Sequence, residues 1–253
     1  MDLNCDMGEL EDAAHEAALM EFVTSANIAC GGHAGDEATM ERTARLALAR
    51  GVRIGAHPGF PDRANFGRIT MELAPEEIER TVLEQIRRLD AVVRQSGAAP
   101  LVRAGPRGPA SGCDVSVRRT ARGPAGGRIE HVKPHGALYN VAALDATVAS
   151  AIGRAVLAWD RHAVLFGLAG SPALDLWRGM GLTVAAEAFA DRRYEPDGSL
   201  RSRKLPGALI ANPQEAAAQA VRFARDSAVQ TICVHGDTPG AIAILKACRE
   251  ALG

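Results

Sequence analysis

Residues 131–140, HVKPHGALYN, combine the end of a short apolar run with a polar turn and a possible helix start. The apolar run Ile129–Val132 favours a buried strand, and Gly136 favours entry into a helix. Lys133 and His135 are two residues apart, so on an extended chain their side chains point the same way. A cation and an imidazole at a strand end suit an anionic or carbonyl-bearing small molecule. In the alternative interpretation, Lys133 is solvated and His135 caps the next helix.

The same alternation of apolar runs and helix-like segments continues along the chain. The predicted strands are Asp2–Cys5, Ala26–Cys30, Arg53–His57, Ile129–Val132, Ala163–Leu168, Thr183–Phe189 and Thr231–Val234. The predicted helices are Glu37–Arg50, Pro75–Gln95, Asp145–Trp159 and Pro239–Leu252. Strands that alternate with helices indicate βα units around a parallel sheet. Because a single α/β barrel takes about 250 residues, the 253 residues are interpreted as one TIM-like parallel β/α barrel domain, with seven strands.

One segment departs from this alternation. Residues 103–128 read RAGPRGPASGCDVSVRRTARGPAGGR, which is rich in Gly, Pro and Arg and contains one acidic residue, Asp114. Such a composition buries too little apolar surface to offset the entropy of ordering, so a flexible insertion is predicted. It follows a helix and precedes a strand, which in a barrel places it on the face opposite the catalytic loops.

Composition narrows the possible partners and the compartment. The formal net charge of −1 gives no basic field, which argues against nucleic acid as the main partner. No apolar stretch approaches the roughly 20 residues of a membrane helix, and the acidic start MDLNCDMGE does not resemble a secretory signal. The five cysteines are odd in number and contain no CxxC pair. Reduced thiols in the cytoplasm are therefore expected.

Polar residues recur at the ends of the predicted strands and in the turns that follow them. These residues are Asn4, Asp6, Asn27, His33, His57, Lys133, His135, Glu187, Asp191, Arg192, His235 and Asp237. A single histidine at a strand end is more often structural than catalytic, and Asp191 beside Arg192 is also compatible with a surface ion pair. In a parallel barrel, however, these strand ends meet at one mouth, where active sites lie. Their recurrence therefore predicts a shared site.

The residue types allow three kinds of chemistry. Asp6 with His33, His57 or His235 has the ligand types of a divalent transition-metal site. A carboxylate paired with histidine can instead act as a general base on water. Lys133, Arg192 and turn amides can stabilise a phosphate or an oxyanion. No GxSxG motif is present, so activated water is favoured over a serine nucleophile.

Six motifs, in order along the whole chain, resemble the LamB/YcsF family. They are DLNCDMGE (2–9), VTSANIACGGHAGD (23–36), GVRIGAHPGFPD (51–62), HVKPHGALYN (131–140), EAFADRRY (187–194) and ICVHGD (232–237). The resemblance implies a seven-stranded barrel similar to the glycoside hydrolase/deacetylase group. It also implies the A subunit of an ATP-dependent 5-oxoprolinase, which opens the lactam of 5-oxo-L-proline to give L-glutamate. The implied cofactor is ATP with magnesium, and the implied partners are subunits B and C.

The individual roles are inferred from placement at the strand ends. Asp6 is the expected base, and His135 and His235 are the expected proton shuttles. Lys133 and Arg192 are expected to hold the substrate carboxylate or the phosphorylated oxygen. Glu187 or Asp237 is expected to orient the shuttles. The remaining candidates for substrate or nucleotide binding are Asn4, Asn27, His33, His57 and Asp191. Two alternatives stay open: a stand-alone metal-dependent amidohydrolase or deacetylase, and a non-catalytic ligand-binding subunit.

Overall fold

The computed structural model describes residues 1–98 and 127–253, and in them seven parallel strands close into a barrel. The strands follow one another around the barrel in chain order, and β7 pairs with β1 to close it. They are β1 (Asp2–Met7), β2 (Ser25–Ala29), β3 (Arg53–His57), β4 (Ile129–Val132), β5 (Val164–Leu168), β6 (Thr183–Phe189) and β7 (Thr231–Val234). The predicted TIM-like barrel with seven strands is therefore confirmed.

Helices surround this barrel. They are α1 (Ala13–Leu19), α2 (Glu37–Arg50), α3 (Pro75–Ala98), α4 (Gly136–Ala142), α5 (Ala146–Trp159), α6 (Pro172–Gly179), α7 (Pro213–Ala224) and α8 (Ala241–Leu252), with a 3₁₀ turn at Arg63–Asn65. The sequence predicted the four long helices α2, α3, α5 and α8 to within a few residues, and β1 proved two residues longer than expected. Helices α1, α6 and α7 were not predicted.

Local sequence signals account for the helix ends. The Asp36 carboxylate accepts a hydrogen bond from Thr39 N at the start of α2, and Gly51 ends that helix with φ of 67°. The Asp145 carboxylate caps α5 in the same way, accepting from two backbone amides. Such caps satisfy backbone donors that have no partner within the helix. Helix α3 begins at Pro75, which suits the first turn.

The inside of the barrel contains a hydrogen-bonded polar layer below its mouth. Asn4 Nδ2 donates to Glu187 Oε1 at 3.0 Å and to Thr231 Oγ1 at 2.6 Å. Asn27 Nδ2 donates to Asn4 Oδ1 at 2.8 Å, and Asn27 Oδ1 lies 2.7 Å from His131 Nε2. All five residues are buried. Because buried polar groups are tolerated when they pair, this layer is a stable floor for the residues above it.

The predicted flexible insertion at 103–128 lies almost entirely outside the described residues, which resume at Gly127. Within the described part of the chain, no single helix has the length and apolar character needed to cross a membrane. The bent pair of α4 and α5 meets those two criteria only when its helices are taken together.

Candidate active site

A cavity of about 570 Å³ opens at the carboxyl ends of the strands. Asp6 on β1, His57 on β3, Lys133 and His135 after β4, and His235 after β7 all line it. Parallel strands bring residues that are far apart in sequence to the same end of the barrel. Of the residues predicted to share one cavity, these five line it, whereas His33 and Glu187 do not.

Lys133 lies at the centre of the cavity floor. Its ammonium donates to Asp6 Oδ1 at 2.8 Å and lies 3.1 Å from Glu187 Oε1. Cys233 Sγ is 3.0 Å away, and the Lys133 side chain is only 2% exposed. Burial disfavours the charged amine, but the Asp6 and Glu187 carboxylates outweigh it, so the pKa of Lys133 is raised well above its ordinary value. Lys133 is therefore a fixed positive charge in a site with little water.

Asp6 is held ionised by its neighbours. Burial raises the pKa of this carboxyl. The charges of His57 and Lys133 lower the pKa by more than burial raises it, so the net pKa lies well below the ordinary value. Asp6 Oδ1 also accepts from Asn27 Nδ2 at 2.8 Å, which leaves Oδ2 facing His57 Nε2 at 3.4 Å. Burial alone would lower the pKa of His57, yet the Asp6 charge raises it. Asp6 therefore presents one carboxylate oxygen towards the histidines.

Three histidines and Glu9 form a second group beside Asp6. Glu9 Oε1 lies 3.1 Å from both His33 Nε2 and His135 Nδ1, and 3.6 Å from His57 Nε2. One ligand atom from each of the four residues lies within 4.8 Å of the others. The His33 ring stacks on His135 at 3.6 Å, away from the cavity. This group has the residue types of a metal site.

The chain places Glu9 by a tight turn after β1. Gly8 has φ of 72°, a conformation that favours glycine, and its amide donates to the buried carboxylate of Glu16. Thr43 Oγ1 donates to the other oxygen of Glu16 at 2.9 Å, which anchors the turn against α2. Glu9 was not among the site residues predicted from the sequence. Its position two residues beyond the end of β1, directly after a glycine, was the available signal.

Glycines allow the loop after β3 to cover the histidine stack. A Cβ atom on Gly59 would lie 2.8 Å from His33 Nδ1, and one on Gly67 would lie 2.7 Å from His33 Cβ. Distances this short are not tolerated between real atoms, so only glycine permits this approach. The loop thus brings the Phe66 carbonyl oxygen to 2.9 Å from His135 Nε2.

His235, which follows β7, forms a dyad with Asp191. His235 Nδ1 lies 3.0 Å from Asp191 Oδ2, which also accepts from the His235 amide and from Thr238 Oγ1. Burial raises the pKa of Asp191, but His235 and these hydrogen bonds outweigh it, and the net pKa is lowered. Gln219 on α7 fixes this segment, because its amide donates to the carbonyl oxygens of Phe189, Ala190 and Arg192.

The rim of the cavity is cationic. Arg68, Arg192, Arg203 and Lys204 all line it. Asp237 pairs with Arg68 and, at 3.3 Å, with Arg203. Arg192 Nη2 donates to the Arg201 carbonyl oxygen at 2.7 Å, whereas its buried Nε has no hydrogen-bond partner among the described residues. The rim therefore carries guanidinium groups with donors available for an anion.

The other predicted residues lie below or behind the cavity. Asn4, Asn27 and Glu187 belong to the polar layer beneath it, and Asp191 and His33 stand behind His235 and His135. The expectation that Glu187 or Asp237 orients the shuttles differs from the structure. Asp191 contacts His235, whereas Glu187 contacts Lys133 and Asp237 contacts the rim arginines. Sequence reasoning also missed Cys233, Arg68 and Arg203, because the fold alone brings them to the site.

Comparisons with known proteins agree with this architecture. The model of the LamB/YcsF family matches residues 1–101 and 116–253. The 5-oxoprolinase A subunit from Chloroflexus aggregans is 44% identical over an alignment of 267 positions, covering 100% of this chain and 94% of the relative. The one from Methylococcus capsulatus is 45% identical, covering 100% and 92%.

A solved structure extends the comparison to three dimensions. The crystal structure of a lactam utilization protein from Thermus thermophilus is 38% identical, with a TM-score of 0.79, and the match covers 100% of this chain and 95% of that one. The residues between the two matched ranges of the family model are 102–115, and all but residue 102 fall inside the predicted insertion. Since both ranges together span most of the sequence, the chain belongs to the LamB/YcsF family.

Proposed function

We propose that this chain is the A subunit of an ATP-dependent 5-oxoprolinase and hydrolyses the lactam of 5-oxo-L-proline to L-glutamate. Its relatives carry that name, and the Thermus thermophilus protein is named for lactam utilization. The observation that carries the proposal is the buried contact between Lys133 Nζ and Asp6 Oδ1, 2.8 Å long, at the floor of the cavity. It places a fixed cation and an ionised carboxylate where a small amide would bind.

The cavity suits an anionic small molecule. Its volume of about 570 Å³ is within the range typical of ligand sites. Arg192 Nε, buried and without a partner in the described residues, is an available donor for the substrate carboxylate or for a phosphoryl oxygen. Arg203 and Lys204 add positive charge beside it. These residues fit the phosphoryl group that an ATP-coupled reaction brings to the lactam.

A lactam carbon is a poor electrophile, and ATP supplies the phosphoryl group that activates its oxygen. Asp6 accepts the proton of the attacking water through Oδ2, because Oδ1 is occupied by Lys133 and Asn27. Lys133 balances the negative charge of the phosphoryl group on that oxygen. When the ring C–N bond breaks, the nitrogen needs a proton, and His235 is placed to deliver it. The ring-opened acyl phosphate is then attacked by a second water, which releases inorganic phosphate and leaves L-glutamate. His135 is the second candidate for this transfer.

The dyad geometry explains why His235 suits this role. Asp191 holds Nδ1 of the ring at 3.0 Å, so Nε2 is the atom free to exchange a proton with the substrate. The Phe189 ring stacks on His235 with a centroid distance of 5.2 Å, which fixes the plane of the imidazole. The two proton-handling groups, Asp6 and His235, lie at the ends of the neighbouring strands β1 and β7, and a carboxylate oxygen of Asp6 is within 4.8 Å of a ring nitrogen of His235.

The proposed partners are subunits B and C, and the nucleotide is used by the assembly of the three. The chain works in the cytoplasm, where its thiols stay reduced; Cys5, Cys30, Cys233 and Cys248 are all unpaired.

The test is reconstitution. We expect the purified chain, mixed with subunits B and C, to release glutamate from 5-oxo-L-proline only when ATP is added. The Chloroflexus aggregans relative, mixed with the same partners, is the positive control. Release by the control but not by this chain would contradict the proposal. ATP-independent amide cleavage by this chain alone would instead favour a stand-alone amidohydrolase.

A further inference from the structure

The hydrogen bonds of His57 determine which of its ring nitrogens carries a lone pair towards the cavity. Its Nδ1 lies 2.7 Å from the backbone carbonyl oxygen of Lys133, which is only an acceptor. Nδ1 must therefore carry the hydrogen, and Nε2 of the neutral ring presents a lone pair. The backbone itself fixes this tautomer.

His135 is fixed in the complementary way. Its Nε2 lies 2.9 Å from the carbonyl oxygen of Phe66, so Nε2 carries the hydrogen and Nδ1 presents the lone pair. His135 Nδ1 is 2.9 Å from His57 Nε2. When both imidazoles are neutral, as metal ligands are, they direct lone pairs at each other at hydrogen-bond distance, with no hydrogen from either ring between them. Such a contact is unfavourable unless a cation lies there.

Glu9 adds a third acceptor to the same point. Its Oε1 lies 3.1 Å from His135 Nδ1 and 3.6 Å from His57 Nε2. Ligand atoms bound to one tetrahedral zinc ion at ordinary bond lengths are about 3.3 Å apart. The three separations of 2.9, 3.1 and 3.6 Å lie on either side of this value. The acceptors are therefore spaced as the ligands of one small cation.

We propose that Glu9, His57 and His135 bind a divalent transition-metal ion, preferably Zn²⁺, with the remaining coordination position open to the cavity. All three residues line that cavity. Two histidines and one glutamate, with one position left for water or substrate, form a known type of catalytic zinc site. Asp6 Oδ2, 3.4 Å from His57 Nε2, borders the same point.

His33 completes the arrangement without binding the ion. Its ring is stacked on His135 with an interplanar angle of 3°. The lone pairs of the two rings therefore lie in two parallel planes and do not converge on one point. His33 Nε2 instead donates to Glu9 Oε1 at 3.1 Å, which leaves its buried Nδ1 without a partner among the described residues. A residue that orients a metal ligand in this way holds the ligand in place and tunes its basicity.

The test measures metal uptake by the whole chain, in the absence of substrate. Protein stripped with a chelator is dialysed against Zn²⁺ and analysed for bound metal, and a second sample is titrated with Co²⁺ by visible absorption. We expect one equivalent of Zn²⁺ and the intense spectrum of four-coordinate Co²⁺. Glu9→Gln, which keeps the shape of the side chain, should weaken binding more than about tenfold. His162→Ala removes an exposed histidine outside the group and should bind like the wild type.

Two results would overturn the proposal. Absence of stoichiometric Zn²⁺ in the wild type would mean that a shared proton, and not a metal, lies between His57 and His135. Equal affinity in wild type and Glu9→Gln, or a weak six-coordinate Co²⁺ spectrum, would place any bound metal elsewhere. Because no step requires 5-oxo-L-proline, ATP or partner subunits, failure here would leave the proposed hydrolysis standing, and the reverse also holds.

Discussion

Replacing Lys133 with methionine tests whether the buried charge cluster is as tightly balanced as the distances indicate. The ammonium lies 2.8 Å from Asp6 and 3.1 Å from Glu187, and all three side chains are no more than 4% exposed. Methionine has a similar length and no charge. Lys133→Met therefore leaves two carboxylates facing each other without their cation.

The structure sets the expected size of the effect. Removing one partner of a buried ion pair costs about 3–5 kcal/mol, because the remaining charge stays desolvated. We expect Lys133→Met to lose that much unfolding free energy at pH 7.5, a large part of the typical total. Without the cation, the lowering of the Asp6 pKa by Lys133 is lost, so the folded-state pKa of this carboxyl is higher in the variant than in the wild type. The folded variant then binds extra protons, so its deficit should shrink as the pH falls towards 5.

Urea unfolding followed by circular dichroism, at pH 7.5 and pH 5.5, measures both effects. The double variant with Glu187→Gln removes one of the stranded charges and should recover part of the loss. Lys246→Met, on the exposed side of α8, should stay within about 0.5 kcal/mol of the wild type. A loss of less than about 1 kcal/mol in Lys133→Met, or a deficit that grows as the pH falls, would refute the reasoning.

Three further predictions concern the floor, the rim and the support of the site. Burial lowers the pKa of His131 to about 3. Because the pKa of His131 is near 6.5 in the unfolded chain, neutral His131 contributes its full stability above that pH, and this contribution is lost progressively below it. Between pH 7.5 and pH 5.5, the free energy of unfolding measured in urea should therefore fall by about 1.4 kcal/mol more in the wild type than in His131→Asn. Arg203→Met should raise KM for 5-oxo-L-proline in the reconstituted assay about tenfold with kcat little changed, because one charge-assisted contact is lost; an unchanged KM would remove Arg203 from binding. Gln219→Leu leaves three carbonyl oxygens without the donor that Gln219 supplies. We therefore expect the free energy of unfolding, measured by thermal unfolding, to fall by about 1–3 kcal/mol, and kcat to be lower. An unchanged kcat would show that Asp191 does not need the support of Gln219.

The alternation of strands and helices sufficed to predict the barrel, because each long element carries its own signal. Helices α2 and α5 have aspartate caps, and β6 and β7 are apolar runs. Helices α6 and α7 were missed, although both begin with proline in the first turn. They have 8 and 12 residues, and helices of that length, α8 included, are stabilised by packing against the barrel.

The site was predictable only in part. Residues at strand ends, such as Asp6 and His57, follow from the rule that parallel strands end at one mouth. Glu9 depends on a glycine turn after β1, and the partner of His235 depends on how the segment after β6 folds back onto α7. Such placements arise from tertiary contacts, which spacing along the chain does not encode.

The central claim is that the water-activating carboxylate of lactam hydrolysis belongs to Asp6, and Asp6→Asn tests it most directly. The amide keeps the shape of the side chain but cannot take a proton from water. In the reconstituted assay with subunits B, C and ATP, the account predicts a loss of at least about a hundredfold in the rate of glutamate release. Asp175→Asn, at an exposed position of α6, should retain the wild-type rate. A folded Asp6→Asn variant that releases glutamate at the wild-type rate would contradict the account.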